Sequence, residues 1–361
     1  MRQWAILLLL AGIASPLLAS KSVTVDQLEQ VVKAAQGKGD GRISQELADL
    51  KLTERLSPVR LARWESELPG EKSRRSLLVL ADQSAFLDLP AGEIPDWPVP
   101  DFARQCEIMA MTVDYTKGIL HKLPNFFATR DTVLFMDSPQ ARPADSSLVP
   151  YEPIHQVNKT SETVLYREGK EVVDGGTGVR KRMKYQPGAQ SLTTRGVFGP
   201  ILGNTLVDAA HGITRWSHWE QGPAGPMAVF QFSVPKAQAH YSVDFCCFLQ
   251  NVQGSRSFHS VPGYHGEIAV DPADGTIYRL TLVADLNPAD PVWVSDILVE
   301  YGSVEIGGKN YVCPLKSVSL WVASGSILST SQTLLNHVDF AQYHLFRSES
   351  RILLGNEGET P

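Results

Sequence analysis

Imidazole and carboxylate groups have the widest chemical reach in this sequence, and four stand at suggestive positions: His218, His259, His265 and Glu267. His265 and Glu267 are two residues apart, as are Trp216 and His218, so on a β-strand each pair would share a face. These are the right side-chain types for a zinc site or for proton transfer. They are equally ordinary polar tips on a half-wet sheet, so no catalytic, metal or cofactor-binding residue is assigned, and no cofactor is expected. Trp216-Ser217-His218-Trp219 could stack on a sugar ring, although aromatic residues more often fill a core or cover a sheet edge.

Several better-defined motifs fail on inspection. Gly302 to Lys309 is no phosphate loop, because Lys309 follows Gly307-Gly308 and precedes Asn310 instead of Ser or Thr. Gly37 to Ile43 is no calcium loop, since with Asp40 in the fifth place Gln36 and Lys38 would have to be ligands. Neither a Gly-x-Ser-x-Gly elbow nor a His-Glu-x-x-His helix occurs, so two common exported hydrolase classes lack their marks. Arg180 to Lys184 is a short basic run suited to a solvated loop or hairpin. The 361 residues carry a formal net charge of −6, and 43% of them are hydrophobic. Such a chain can bury a large core, and it has no clustered basic face with which to bind nucleic acid.

The N-terminus carries an export signal. Met1-Arg2-Gln3 supplies a positive charge, Trp4 to Leu18 is nearly all apolar, and Leu17-Leu18-Ala19-Ser20 offers small residues for a peptidase. Residues 1–20 are therefore expected to be a signal peptide, with Ser15-Pro16 interrupting a run too short for a membrane span. The mature chain is expected to be extracytoplasmic, periplasmic or secreted, and not membrane-spanning. Export makes Cys106, Cys246, Cys247 and Cys313 candidates for disulfides. Tyr241, Val243, Phe245, Cys247 and Leu249 alternate as one strand face, which points Cys247 inward and Cys246 away. Cys313 is the expected mate of one of them, with Cys247–Cys313 the candidate pair and Cys106 buried on a helix. The alternative is four small hydrophobes.

The elements that must position these residues fall into two parts. Residues 21–99 read as a helical module. Thr24 and Gln27 form a capping box, with further helices expected over Ile43 to Leu52, from Ser57-Pro58, and over Glu71 to Leu87. Pro90, Pro95, Pro98 and Pro100 mark a linker at its end. Asp101 to His121 reads as one longer helix with Phe102, Cys106, Met109, Val113 and Ile119 near one face. After it the period switches to two, with strands expected over Phe126 to Met136, Glu162 to Tyr166, Met227 to Val234, His240 to Phe248 and Gly266 to Val270. Four more follow over Thr276 to Ala284, Asp296 to Tyr301, Tyr311 to Val322 and Val338 to Ile352. Asp271 to Gly275 and Gly307-Gly308 are tight reversals, so the pairing should be antiparallel. Between Pro187 and Gly212 the pattern allows a short helix or a buried loop. The expected class is α+β: a small helical module, then residues 100–353 as a helix with a curved, half-barrel-like antiparallel sheet, then a flexible tail over residues 354–361.

One sheet face is apolar through Tyr278, Leu280, Leu282 and Ala284, and the opposite face mixes Arg279 and Thr281 with Ile277 and Val283. A half-apolar second face is expected to curve around something, either the Asp101 to His121 helix or a ligand. The run Tyr264 to Pro272 with Gly275-Thr276-Ile277 resembles an uncharacterised family of predicted secreted bacterial proteins. So do Val299 to Gly302 with Val304, Ile306 to Lys309, Tyr311 to Pro314, and the terminal Tyr343 to Ser348. More loosely, the strand order is similar to the outer-membrane lipoprotein carrier fold, a half-barrel cupping lipid against helices. The expectation is an exported, non-enzymatic binding protein for an apolar ligand such as a lipid. A structural or interaction protein of the envelope, docking a protein partner through the helical module, is the alternative. A hydrolase would rest only on the His and Glu inventory.

Overall fold

The computed structural model describes residues 20–137, 140–141, 152–168, 170–173, 200–223, 225–249, 255–324 and 330–346. The expected signal peptide (apart from Ser20), the Arg180 to Lys184 run and the terminal tail lie outside them, as do the side chains of Cys246 and Cys247.

The chain opens with β1 (Lys21–Val23), α1 (Val25–Ala34), α2 (Asp40–Ala48), β2 (Leu50–Leu52), α3 (Pro58–Glu67) and α4 (Glu71–Ser84). Thr24 caps α1 as a reciprocal box, its hydroxyl accepting from the Gln27 N–H at 3.2 Å while Gln27 Oε1 accepts from the Thr24 N–H at 3.0 Å. Gly37, at φ +84°, ends that turn of chain where other residues would be strained. Asp40 then accepts from the Lys72 and Ser73 N–H groups at 3.1 and 2.9 Å, so it caps the start of α4. Leu28, Ile43, Leu47, Trp64 and Leu77 are fully buried as a core of the module's own. Strands β1 and β2 pair in parallel, a feature too short to show in the sequence pattern.

The second part comprises α5 (Phe102–Lys122), β3 (Phe126–Met136), β4 (Gln140–Ala141), β5 (His155–Arg167), β6 (Lys170–Val173), α6 (Pro200–His211), β7 (Ile213–Gln221), β8 (Pro226–Val234), β9 (Val243–Leu249) and β10 (Ser255–Ser260). It ends with β11 (Tyr264–Val270), β12 (Ile277–Ala284), β13 (Val292–Ile306), β14 (Lys309–Ser324) and β15 (Thr330–Leu345). Among the described residues these strands form one antiparallel sheet in the order β6-β5-β3-β15-β14-β13-β12-β11-β8-β7, with β4 added beside β15 and β9–β10 as a separate hairpin. The sheet is open, since its edges β6 and β7 do not pair with each other. It is nevertheless strongly curved: one hydrophobic cluster takes Tyr166 from β5 near one edge and Phe230 from β8 near the other, together with Ile108 of α5 and Leu206 of α6. The α+β class and curved sheet expected from the sequence are therefore present.

The first face of the sheet is filled by protein. Helices α5 and α6 cover most of it, and the β9–β10 hairpin covers the remainder through Val243 and Phe245 packed with Trp321 and Leu334. The buried face of α5 differs from the expected one. Phe102 is 78% exposed and Cys106 is exposed, whereas Ile108, Thr112 and Thr116 are buried. Both threonine hydroxyls donate to the carbonyl four residues back, at 2.9 Å each, which satisfies them inside the helix and hides the face from a hydrophobicity pattern. Gly275, at φ +78°, brings the β11–β12 turn against this helix, where a Cβ would lie 2.5 Å from the Met111 and Thr112 backbone.

Candidate binding site between the helical module and the sheet

The second sheet face, half polar in the sequence, is where the helical module docks. Val79 of α4 packs with Phe135, Leu298, Val318 and Leu335, all projecting from the face opposite α5. Two buried ionic clusters flank this contact. In the first, Asp82 of α4, with its side chain wholly buried, meets His337 Nδ1 at 2.7 Å and Lys316 Nζ at 3.0 Å. His337 Nε2 lies 3.3 Å from Asp339. Burial opposes charge on His337, yet Asp82 and Asp339 outweigh it and push the imidazolium up to about 9. Burial likewise works against the Asp82 carboxylate, but Lys316 and His337 hold it below its ordinary range.

In the second cluster, Arg55 reaches Glu220 of β7, and Arg279 of β12 binds the same carboxylate bidentately at 2.6 and 2.7 Å. Glu267 of β11 adds a second carboxylate, 3.4 Å from Arg279 and 3.9 Å from Arg55. Two guanidinium and two carboxylate groups balance. Burial alone would raise the Glu220 carboxyl, and Arg279, His218 and Arg55 together drive it far below the ordinary range.

His218 joins this cluster in an arrangement resembling a nucleophile relay. Its Nε2 lies 3.0 Å from Glu220 and its Nδ1 lies 2.8 Å from the Ser217 hydroxyl. A bulge between Trp216 and His218 breaks the strand alternation, and this lets the neighbouring Ser217 and His218 side chains meet. The chemistry of the setting disfavours catalysis. A relay needs a carboxylate dedicated to its imidazole, and Glu220 is already shared by the Arg55 and Arg279 guanidiniums. The cluster's geometry is that of an interlayer anchor.

Of the four residues singled out in the sequence, His218 and Glu267 thus share one network. His265 lies along the same seam, bonded to Asp285 at 2.8 Å. His259 is elsewhere, paired with Asp244 at 2.6 Å on the β9–β10 hairpin. Among the described residues no three His, Cys, Asp or Glu side chains converge as metal donors. The bulge also places Trp216 and His218 on opposite faces, contrary to expectation. Trp216 packs edge-on to Trp219 at 4.8 Å and to Phe230 at 5.5 Å, and Trp219 donates to the Pro98 carbonyl at 2.9 Å. These rings tie the proline-rich linker to the sheet and present no stacked platform.

The cysteine expectation also needs correction. Cys313 carries a free thiol buried in the core beneath β14, and burial pushes it up to about 12. The Cys247–Cys313 disulfide is therefore not formed, and Cys247 belongs to the separate hairpin. Cys106, expected to be buried, is exposed and also free.

The seam between module and sheet contains two spaces, each partly open to solvent. A cleft of about 570 Å³ runs beside the second ionic cluster, lined by Phe86 and Asp88 from the end of α4 with Arg215, Ser233, His265 and Glu267. A cavity of about 420 Å³ lies next to it, and Phe86 and Leu87 contribute to both. Most of the cavity wall is apolar: Leu47, Val79 and Leu80 from the module face Val294, Leu320 and Val322 from the sheet. Polar side chains interrupt it: Lys51, Ser76, Gln83, Ser84 and Thr333, and two carboxyls, Asp137 and Asp296. Asp137 accepts from the Thr333 N–H at 2.7 Å. Asp296, only 8% exposed, has no hydrogen-bond or ion-pair partner among the described residues, and burial pushes its carboxyl up to about 7. Neither Arg55, Asp82 nor Asp296 stood out in the sequence. The only available signal was an acidic residue within the apolar run Val294 to Val299, and register alone decides what it faces.

Comparison with protein-family models, with curated proteins and with solved structures finds no match to this chain.

Proposed function

We propose that this chain is an exported, non-enzymatic binding protein that holds an apolar ligand between its helical module and the second face of its sheet. The observation that carries this reading is the cavity of about 420 Å³, within the size range of small-molecule sites, with Leu47, Val79 and Leu80 facing Val294, Leu320 and Val322 across it. The site differs from the one a lipoprotein-carrier analogy would suggest, because the first face is occupied by α5, α6 and the β9–β10 hairpin. Export and an extracytoplasmic location belong to the same proposal and rest on residues 1–20.

Native mass spectrometry of the protein purified from its own host without detergent tests the reading. A stoichiometric bound mass that extracts into organic solvent is expected. A clean apo mass, unchanged after incubation with medium-chain lipids and alcohols, overturns it.

A further inference from the structure

The unpartnered Asp296 carboxyl in this mixed, partly apolar cavity narrows the ligand class. Asp296 sits on β13 between Val283 of β12 and Leu320 of β14, and its side chain lines the cavity facing α4. A carboxyl with this burial ordinarily finds an N–H, a hydroxyl or a cation. Here none of the described residues supplies one, and burial is the sole influence on its proton affinity. Nearby cations are committed: Lys316 faces Asp82, and Arg279 and Arg55 face Glu220. Lys51, the one basic residue of the cavity wall, is exposed and exerts no resolved effect on Asp296. Asp137, the second carboxyl of the wall, adds negative character and no donor. Asp296 therefore has no cation paired with it, and the Val79, Leu80, Leu320 and Val322 side of the cavity is apolar, so an acceptor stands there that a positive group would complete.

We propose that the cavity binds a primary aliphatic amine, with its alkyl chain against Val79, Leu80, Leu320 and Val322 and its ammonium group on the Asp296 carboxylate. This rests on the binding-protein reading and specifies the ligand. An accompanying anion is set outside the ligand class, since the Asp137 and Asp296 carboxyls would repel it and Lys51, the one basic residue of the wall, is exposed. A free long-chain amine fits, and a zwitterionic amine lipid fits less well because its phosphate would share the same acidic wall. An ammonium ion in the site would keep Asp296 ionised and so remove the penalty that burial imposes on it in the empty cavity.

Isothermal titration of the full-length mature protein with decylamine, 1-decanol and a decanoyl lysophosphatidylethanolamine, each below its micelle concentration, separates the outcomes. Decylamine is expected to bind at least about tenfold more tightly than 1-decanol. In Asp296→Asn the amine should fall to the affinity of the alcohol, and the alcohol should be unchanged. The wild-type ratio is informative even if that variant misfolds, and circular dichroism reports whether it has. Equal affinities for amine and alcohol in the wild type overturn the amine proposal and leave the apolar-ligand reading standing. A preference for amine that survives in Asp296→Asn overturns the assignment to Asp296, and tighter binding of the zwitterionic lipid overturns the exclusion of an anion. Absence of binding by all three removes both the proposal and the reading beneath it.

Discussion

Two buried titratable residues on the second sheet face differ in that His337 is paired and Asp296 is not, so their charges act on stability in opposite directions. His337 is clasped by Asp82 and Asp339, and its folded value of about 9 lies above the unfolded 6.5. A raised imidazolium stabilises the fold fully below pH 6.5, and that contribution is lost as pH rises through 9. The thermal midpoint should accordingly fall across this window, and His337→Gln should flatten the decline as well as lowering the midpoint at pH 6. Differential scanning fluorimetry at half-unit pH steps checks this. Asp296 works in the other direction, because its value is raised from 3.8 to about 7 with no partner. In the empty protein it weakens the fold increasingly as pH climbs from 3.8 to 7 and by a constant amount thereafter. Asp296→Asn should therefore stabilise the ligand-free protein by on the order of 3 kcal/mol at pH 8, with the gain shrinking toward nothing near pH 4. Chemical denaturation at the two pH values measures it, and a destabilised variant at pH 8 would mean the carboxylate has a partner.

At the scale of elements, the module and the sheet are joined by α4 and by the Arg55–Glu220–Arg279 cluster. Truncating one member of a buried, charge-balanced cluster leaves its partners uncompensated, which typically costs about 3–5 kcal/mol. Glu220→Gln is expected to lower stability by that order, measured by urea denaturation, while Glu67→Gln at an exposed pair should change it little. Much of this level was legible in the sequence. Phe126–Met136 was bounded correctly from its period of two, α1 from its capping box, and the Gly307-Gly308 turn, with φ of +62° and +81°, from its residue types. What escaped has identifiable causes. Strand β7 lacks a clean alternation because a bulge shifts its phase at Trp216 and His218. The buried face of α5 uses threonines that bond back to their own helix. Helix α6, from Pro200 to His211, was ambiguous because its burial runs against its polarity: Thr205 and Asp208 are buried, Asp208 accepting from the His240 N–H and the Tyr264 hydroxyl, while Val207 is exposed.

For the whole molecule, the half-polar second face was legible in the sequence, but its occupant was not. Alternation marks which residues share a face; it cannot identify the layer that covers them, because that is set by contacts far apart in sequence, such as Asp82 with His337 and Arg55 with Glu220. The covering layer is the chain's own helical module, and the proposed ligand site is the space it leaves, bounded by Val79 and Leu80 on one side and Leu320 and Val322 on the other. The most direct test fills that space. Leu320, partly buried on the cavity wall, tolerates a larger side chain by extending into the void, so Leu320→Trp should fold normally. A fluorescent long-chain alcohol titrated into the wild type should bind saturably at one site, and in Leu320→Trp it should bind at least about tenfold more weakly with the thermal midpoint retained. Equal affinity in the two proteins would contradict a ligand site between the module and the sheet.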